Sequence, residues 1–192
     1  MTPTSPVWNP LLIDQLEFHW THALRPRLEG LTDEEYRWEP APGAWSIRPR
    51  GSGVSPAPTG SGRWERDDAP DDPDPATLTT IAWRLAHITV EVLAMRSASH
   101  FGRAPAHHGS WAYAGTAAEA LDQLDAEHAR WRDGVRDLGE DGLDRPCGPA
   151  EGPFADAPLG ALVLHIHREV IHHGAEVCLL RDLYLHTHRK DS

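Results

Sequence analysis

Proline and glycine divide this chain into stretches that can be helical and stretches that cannot. Thirteen of them fall between residues 39 and 76, from Pro40 to Pro75. Each proline removes a backbone donor and clashes with the turn before it, so no long helix survives there. A loop of that length in a compact domain usually has a function of its own or is partly disordered. Within it, Ala44 to Arg48 and Arg63 to Glu65 are candidates for paired short strands or packing anchors, and the acidic run Asp67–Asp74 reads as solvated loop. A second Pro/Gly-rich connection spans 139–157.

Between these breakers apolar residues recur at helical spacing. Asn9-Pro10 reads as a cap and first helical position, opening a helix over about 10–29. Thr32 to Glu35 has capping-box spacing and opens a short piece ending near Trp38; Thr116 to Glu119 has it too and opens a helix over about 117–138. Further helices are expected over about 77–100 and from Pro158 to about His186. Four long helices predict an all-α fold: a four-helix bundle, with the long loop between helices one and two, in a single domain covering 1–192.

With 192 residues the chain can bury a core without staples. Its two cysteines, Cys147 and Cys178, make no disulfide framework and read as free thiols. No secretory signal and no membrane-length apolar run are visible, so the expectation is a cytoplasmic protein without a membrane partner. A formal charge of −11 argues against nucleic acid. Of thirteen histidines, His107, His108, His186 and His188 read as surface.

The last helix carries the most chemistry. Stepping about 100° per residue puts His165, Glu169, His173 and Glu176 in one narrow arc with Leu162 and Leu180. His167, Gly174 and Arg181 lie on the opposite side, so the polar stripe is not read as the solvated face. Charged groups in a core persist only when paired, hydrogen-bonded or bound to metal. Glu169 and His173, one turn apart, can supply two ligands of a three-ligand metal site, and His87, bracketed by apolar residues in helix two, is the best third. Imidazole and carboxylate together suit zinc, nickel or iron. His165 and His172 compete as ligands or as hydrogen-bond partners of them; His19 and His22 on helix one are weaker candidates. The competing reading is plain: an inward histidine is usually a hydrogen-bonded core residue, and a Glu–His pair on one helix needs no metal.

Three stretches carry a resemblance: Trp38-Glu39-Pro40-Ala41-Pro42-Gly43-Ala44-Trp45-Ser46-Ile47, Ile81-Ala82-Trp83-Arg84-Leu85-Ala86-His87-Ile88, and Arg168-Glu169-Val170-Ile171-His172-His173-Gly174-Ala175-Glu176. Together they resemble the DinB-like superfamily of four-helix proteins, many of which bind a divalent metal through one histidine of helix two and a His-x3-His pair of helix four. Here the first position of that pair is Glu169. The departure is similar to the branch containing mycothiol-dependent maleylpyruvate isomerase, and it implies His87, Glu169 and His173 as metal ligands.

The resemblance implies a metal-dependent thiol S-transferase or isomerase that activates a low-molecular-weight thiol, mycothiol above all, for attack on a small electrophile. It also admits a homodimer. Arg84 could contact the thiol cofactor, with a surface salt bridge as the equal alternative. Glu91 and Glu176 could accept hydrogen bonds from the ligating imidazoles, and Trp45 and Trp83 could wall the pocket. Neither cysteine suits a nucleophile. The rival readings are a non-catalytic metal- or ligand-binding stress-response bundle and a metal-dependent hydrolase.

Overall fold

A computed structural model describes residues 7–69 and 77–188. The chain is mostly helical, with one small two-stranded sheet among the described residues. Helix α1 (Trp8–His19) runs on through a π-helical turn, Trp20–Leu24, into a 3-10 turn, Arg25–Leu28. Pro26 explains the change of register, because it cannot bond back to the carbonyl four residues earlier. The short α2 (Asp33–Arg37) follows. Strands β1 (Ile47–Pro49) and β2 (Trp64–Arg66) pair antiparallel, Ile47 opposite Arg66. Next come α3 (Ile81–His87), a seven-residue π-helical stretch (Ile88–Ala94) and α4 (Met95–His100), then α5 (Ala117–Leu143) and α6 (Leu159–Thr187).

Most of the expected boundaries hold within a few residues, and the misses have causes. The Thr32 and Thr116 hydroxyls accept from Glu35 N and Glu119 N, both at 3.2 Å. Helix α3 starts at 81 rather than 77 because Leu78 and Thr80 bond to Trp45 as extended chain, and Thr80 caps the helix. Asn9 is not a cap. Glu140 accepts from Trp8 N and Asn9 N at 3.0 and 2.9 Å, while Asn9, buried, donates to the carbonyl of Val135 at 2.7 Å. A carboxylate at a helix start satisfies orphan donors and complements the dipole. Gly139, with φ of 64°, breaks helical geometry within α5 just after the expected end at 138.

The acidic run is not all solvated. Asp67 is fully buried, and its carboxylate accepts from Ser46 N, Arg48 Nε, Val54 N and Ser55 N at 2.9–3.2 Å. Its own carbonyl accepts from Trp83 Nε1 at 2.7 Å. The buried carboxylate thus gathers the Pro/Gly-rich segment around it, and the Asp67 carbonyl pins that segment to α3. Asp71, Asp72 and Asp74 lie outside the described residues.

Helix α6 is buried on two sides. His167 is 6% exposed, Gly174 is buried, and Arg181 bonds Glu35 at 2.8 Å. A Cβ on Gly174 would stand 2.9 Å from a terminal methyl of buried Leu24, which would have to shift to admit it. The side opposite the polar stripe is therefore not solvent-facing. Leu164, Arg168, Ile171 and Leu179 face solvent instead. No helix among the described residues is long and apolar enough to cross a membrane.

His128 (α5) and His167 (α6) are both enclosed, and His167 Nε2 has no hydrogen-bond partner among the described residues. Burial lowers their pKa, to about 3 for His128 and about 4 for His167. Glu17 Oε1 stands 3.2 Å from His128 Nε2 and favours its charged form, whereas burial acts alone on His167. A histidine whose folded pKa lies below 6.5 contributes no penalty above that pH. Its stability contribution is lost as pH falls from 6.5 toward 4, by about 3 kcal/mol in all. Urea unfolding of wild type and His167→Leu at pH 7 and pH 4.5 reads this directly. The variant should lose about 2 kcal/mol less than wild type over that interval; equal losses would remove the assignment.

Candidate metal centre

The residues singled out on α3 and α6 meet where these helices pack. His87 and His173 stand edge to face with ring centroids 4.7 Å apart. His173 Nε2 lies 3.2 Å from Glu169 Oε2. Contacts through His173 thus link all three side chains, which are 12–25% exposed.

Each imidazole is held from behind by a carboxylate. His87 Nδ1 is 2.6 Å from Glu91 Oε2, and His173 Nδ1 is 2.7 Å from Glu176 Oε2. An ionised carboxylate only accepts, so in both rings Nδ1 donates to the carboxylate behind it. This is the support expected behind a metal-ligating histidine. Burial would raise Glu91, but the bonds from His87 and Arg66 outweigh it and hold the carboxyl at about 2. Glu176 is likewise lowered against burial by His173 and Arg84, and burial pushes His173 below its ordinary value. Both carboxylates are ionised at neutral pH.

Two arginines frame the site. Arg84 bonds Glu176 at 2.9 Å and sits over the Trp83 ring, so it crosses between α3 and α6 rather than forming a surface bridge. Arg66 is 2% exposed; it bonds Glu91 at 2.6 Å and Asp68 at 2.7 Å, and covers the other part of the Trp83 environment. Trp83 stacks on His87 at 5.5 Å with ring planes 9° apart. Trp45 lies 6.3 Å from Trp83. Sequence reasoning missed Arg66. It lies one residue beyond the stretch Arg63 to Glu65 suspected as a strand, and only the observed register, which sets it opposite Ile47, brings it to the site. The π-helical stretch after His87 was also invisible, though such stretches recur at functional sites.

The remaining candidates fall outside the pair of rings. His165 Nδ1 is 3.5 Å from Glu169 Oε1, and its side chain is 43% exposed. His172 is 65% exposed and reaches Glu176 Oε1 at 3.5 Å. No hydrogen bond, ion pair or ring contact among the described residues joins His19 or His22 to the site; His22 packs on exposed Phe18. Burial raises the thiol pKa of both Cys147 and Cys178, which makes them poor nucleophiles.

Among the described residues the grouping with metal-ligand spacing is a different one: His172, His173 and Glu176 offer atoms all within 4.8 Å of one another. There, however, Arg84 already occupies the carboxylate, and its Nη1 lies 3.4 Å from His173 Nδ1. A cation placed among those three atoms would meet a fixed guanidinium.

A family model described as the DinB superfamily matches residues 54–177. No curated protein and no solved structure shows a significant match to the chain.

Proposed function

The chain belongs to the DinB superfamily, and on that footing we propose that it is a divalent-metal-dependent thiol S-transferase or isomerase with His87, Glu169 and His173 as ligands. We read its four long helical stretches as the bundle of that superfamily. The observation that carries the reading is the pair of imidazoles, each with Nδ1 bound to its own carboxylate, facing each other beside Glu169. Two imidazoles and one carboxylate fit zinc, with nickel or iron as alternatives. A cation held there supplies Lewis acidity that lowers the pKa of a thiol brought to an open position.

The chain's own residues do the rest. Glu91 and Glu176 hold the orientation of the two rings. Trp83 holds the plane of the His87 ring, and Arg66 keeps Glu91 ionised. Arg84, 19% exposed, is placed to orient an anionic or hydroxylated part of a thiol cofactor such as mycothiol. The residues from 39 to 69 bring Trp45 and Arg66 to the same corner and support a role in substrate selection. Exposed Leu164, Ile171 and Leu179 along α6 support a homodimer formed through that face. A small molecule is the proposed partner; the charge of −11 speaks against nucleic acid.

Incubating zinc-loaded protein with mycothiol and 1-chloro-2,4-dinitrobenzene tests the reading. Conjugate should form above the uncatalysed background, and Glu169→Ala or a chelator should abolish the excess. Metal uptake with thiol-independent hydrolysis of ester or amide probes would point to a hydrolase instead. Metal uptake with no turnover would leave a binding bundle.

A further inference from the structure

Next to the proposed metal site lies a cavity of about 600 Å3 between the start of α4, the first turns of α6 and the 147–157 connection. That volume is typical of small-molecule sites. Its wall is apolar where Leu162, Ala161 and Phe154 line it. Phe154 is 69% exposed, so its ring leaves apolar surface uncovered at the cavity.

The polar groups are unevenly signed. Arg96, Arg168 and His165 line the cavity, against one acid, Glu151. That acid is already engaged: His100 Nε2 is 2.8 Å from Glu151 Oε1, and Arg96 Nε is 3.4 Å from the same oxygen. Arg96 Nε is buried without a hydrogen-bond partner among the described residues. Arg168 contacts His165 and lies 3.5 Å from Glu169 Oε1. A guanidinium fork beside an apolar wall suits a planar carboxylate carrying an apolar body.

We infer that this cavity binds a small organic carboxylate, its acid group held by Arg96 and Arg168 and its apolar part laid against Phe154 and Leu162. Glu169 ties the cavity to the site. Its Oε1 is 3.5 Å from both His165 and Arg168, while its Oε2 faces His173. An acid group held by Arg168 sits beside Glu169, the carboxylate that we assign to the metal. The substrate class of the proposed reaction is therefore an acid-bearing electrophile. That catalytic meaning rests on the metal reading; the binding does not.

Calorimetric titration of the full chain, stripped of metal with EDTA, separates the two. The probe is 4-phenylbutyrate, with the neutral 4-phenylbutanamide as its control. The acid should bind saturably, and the amide at least about tenfold more weakly, the size expected for losing a charged hydrogen bond. Arg96→Gln and Arg168→Gln should each weaken the acid and leave the amide unchanged. Because Arg96→Gln could disturb the Glu151 contacts, Ala161→Trp provides a second arm: it fills the cavity from its open side and should abolish binding of both probes. No saturable binding of the acid, equal binding of acid and amide, or acid binding indifferent to all three variants would each overturn the inference. Zinc uptake on the same preparation tells the two proposals apart. Zinc bound without the acid sinks the cavity and leaves the metal reading; the acid bound without zinc does the reverse.

Discussion

Removing any one of the three proposed ligands should cost more than about 100-fold in zinc affinity. Loss of an outer hydrogen-bond partner of a metal-bound histidine typically costs about 10–100-fold, and loss of a ligand costs more. The expected order among variants is therefore sharp. His87→Ala, Glu169→Ala and His173→Ala should fail to hold zinc against a competing chelator of nanomolar affinity. Glu91→Gln and Glu176→Gln should hold it about 10–100-fold more weakly than wild type. His172→Ala should change little, because that side chain is 65% exposed and faces Glu176 rather than the space between the two rings. All six retain the helical signal if the site is not needed for folding. A His172→Ala variant as weak as His173→Ala would move the site to the other grouping on α6.

Asp67→Ala should destabilise the protein by about 3–5 kcal/mol, the range found when one partner of a buried charged network is removed. The carboxylate is fully buried, and three backbone N–H groups and Arg48 donate to it. Alanine removes the acceptor of all four donors, the Ser46 bond buried and the other three partly so, and each donor that water does not reach then costs its desolvation penalty. Asp67→Asn keeps one acceptor oxygen and should lose less. Urea unfolding measures both. The effect should also reach the site, because the Asp67 carbonyl fixes Trp83, on which His87 stacks. Zinc affinity in Asp67→Ala should fall even under conditions where the variant remains folded. A variant within about 0.5 kcal/mol of wild type would mean that the segment is not pinned as described.

The helices were legible because period and punctuation agree. Thr116 with Glu119, Pro158, and the apolar repeats of α5 and α6 all point to the same boundaries. The stripe of Glu169, His173 and Glu176 was legible for a related reason: helical spacing alone fixes which residues share a side. What spacing does not fix is what each side faces. The side holding His167, Gly174 and Arg181 carries polar and small residues and looks outward from sequence. It is buried, because Gly174 admits Leu24 and because Arg181 is matched by Glu35. Asp67 misled in the same way. An acid in an acidic run reads as solvated unless its four donors, spread over Ser46 to Ser55, are known to converge. Non-local pairing of this kind leaves no periodic trace. Glu91 and Glu176 were found from sequence because each lies within one turn of the histidine it serves, whereas Arg66 reaches Glu91 from a strand with no such proximity.

Anomalous diffraction from a crystal grown with zinc is the most direct measurement. One strong peak between the His87 and His173 rings, within about 2.0–2.2 Å of both Nε2 atoms and a Glu169 oxygen, is the predicted result. A peak held by His172 and Glu176, or none after zinc loading, would contradict the central claim that α3 and α6 share a single cation through those three side chains.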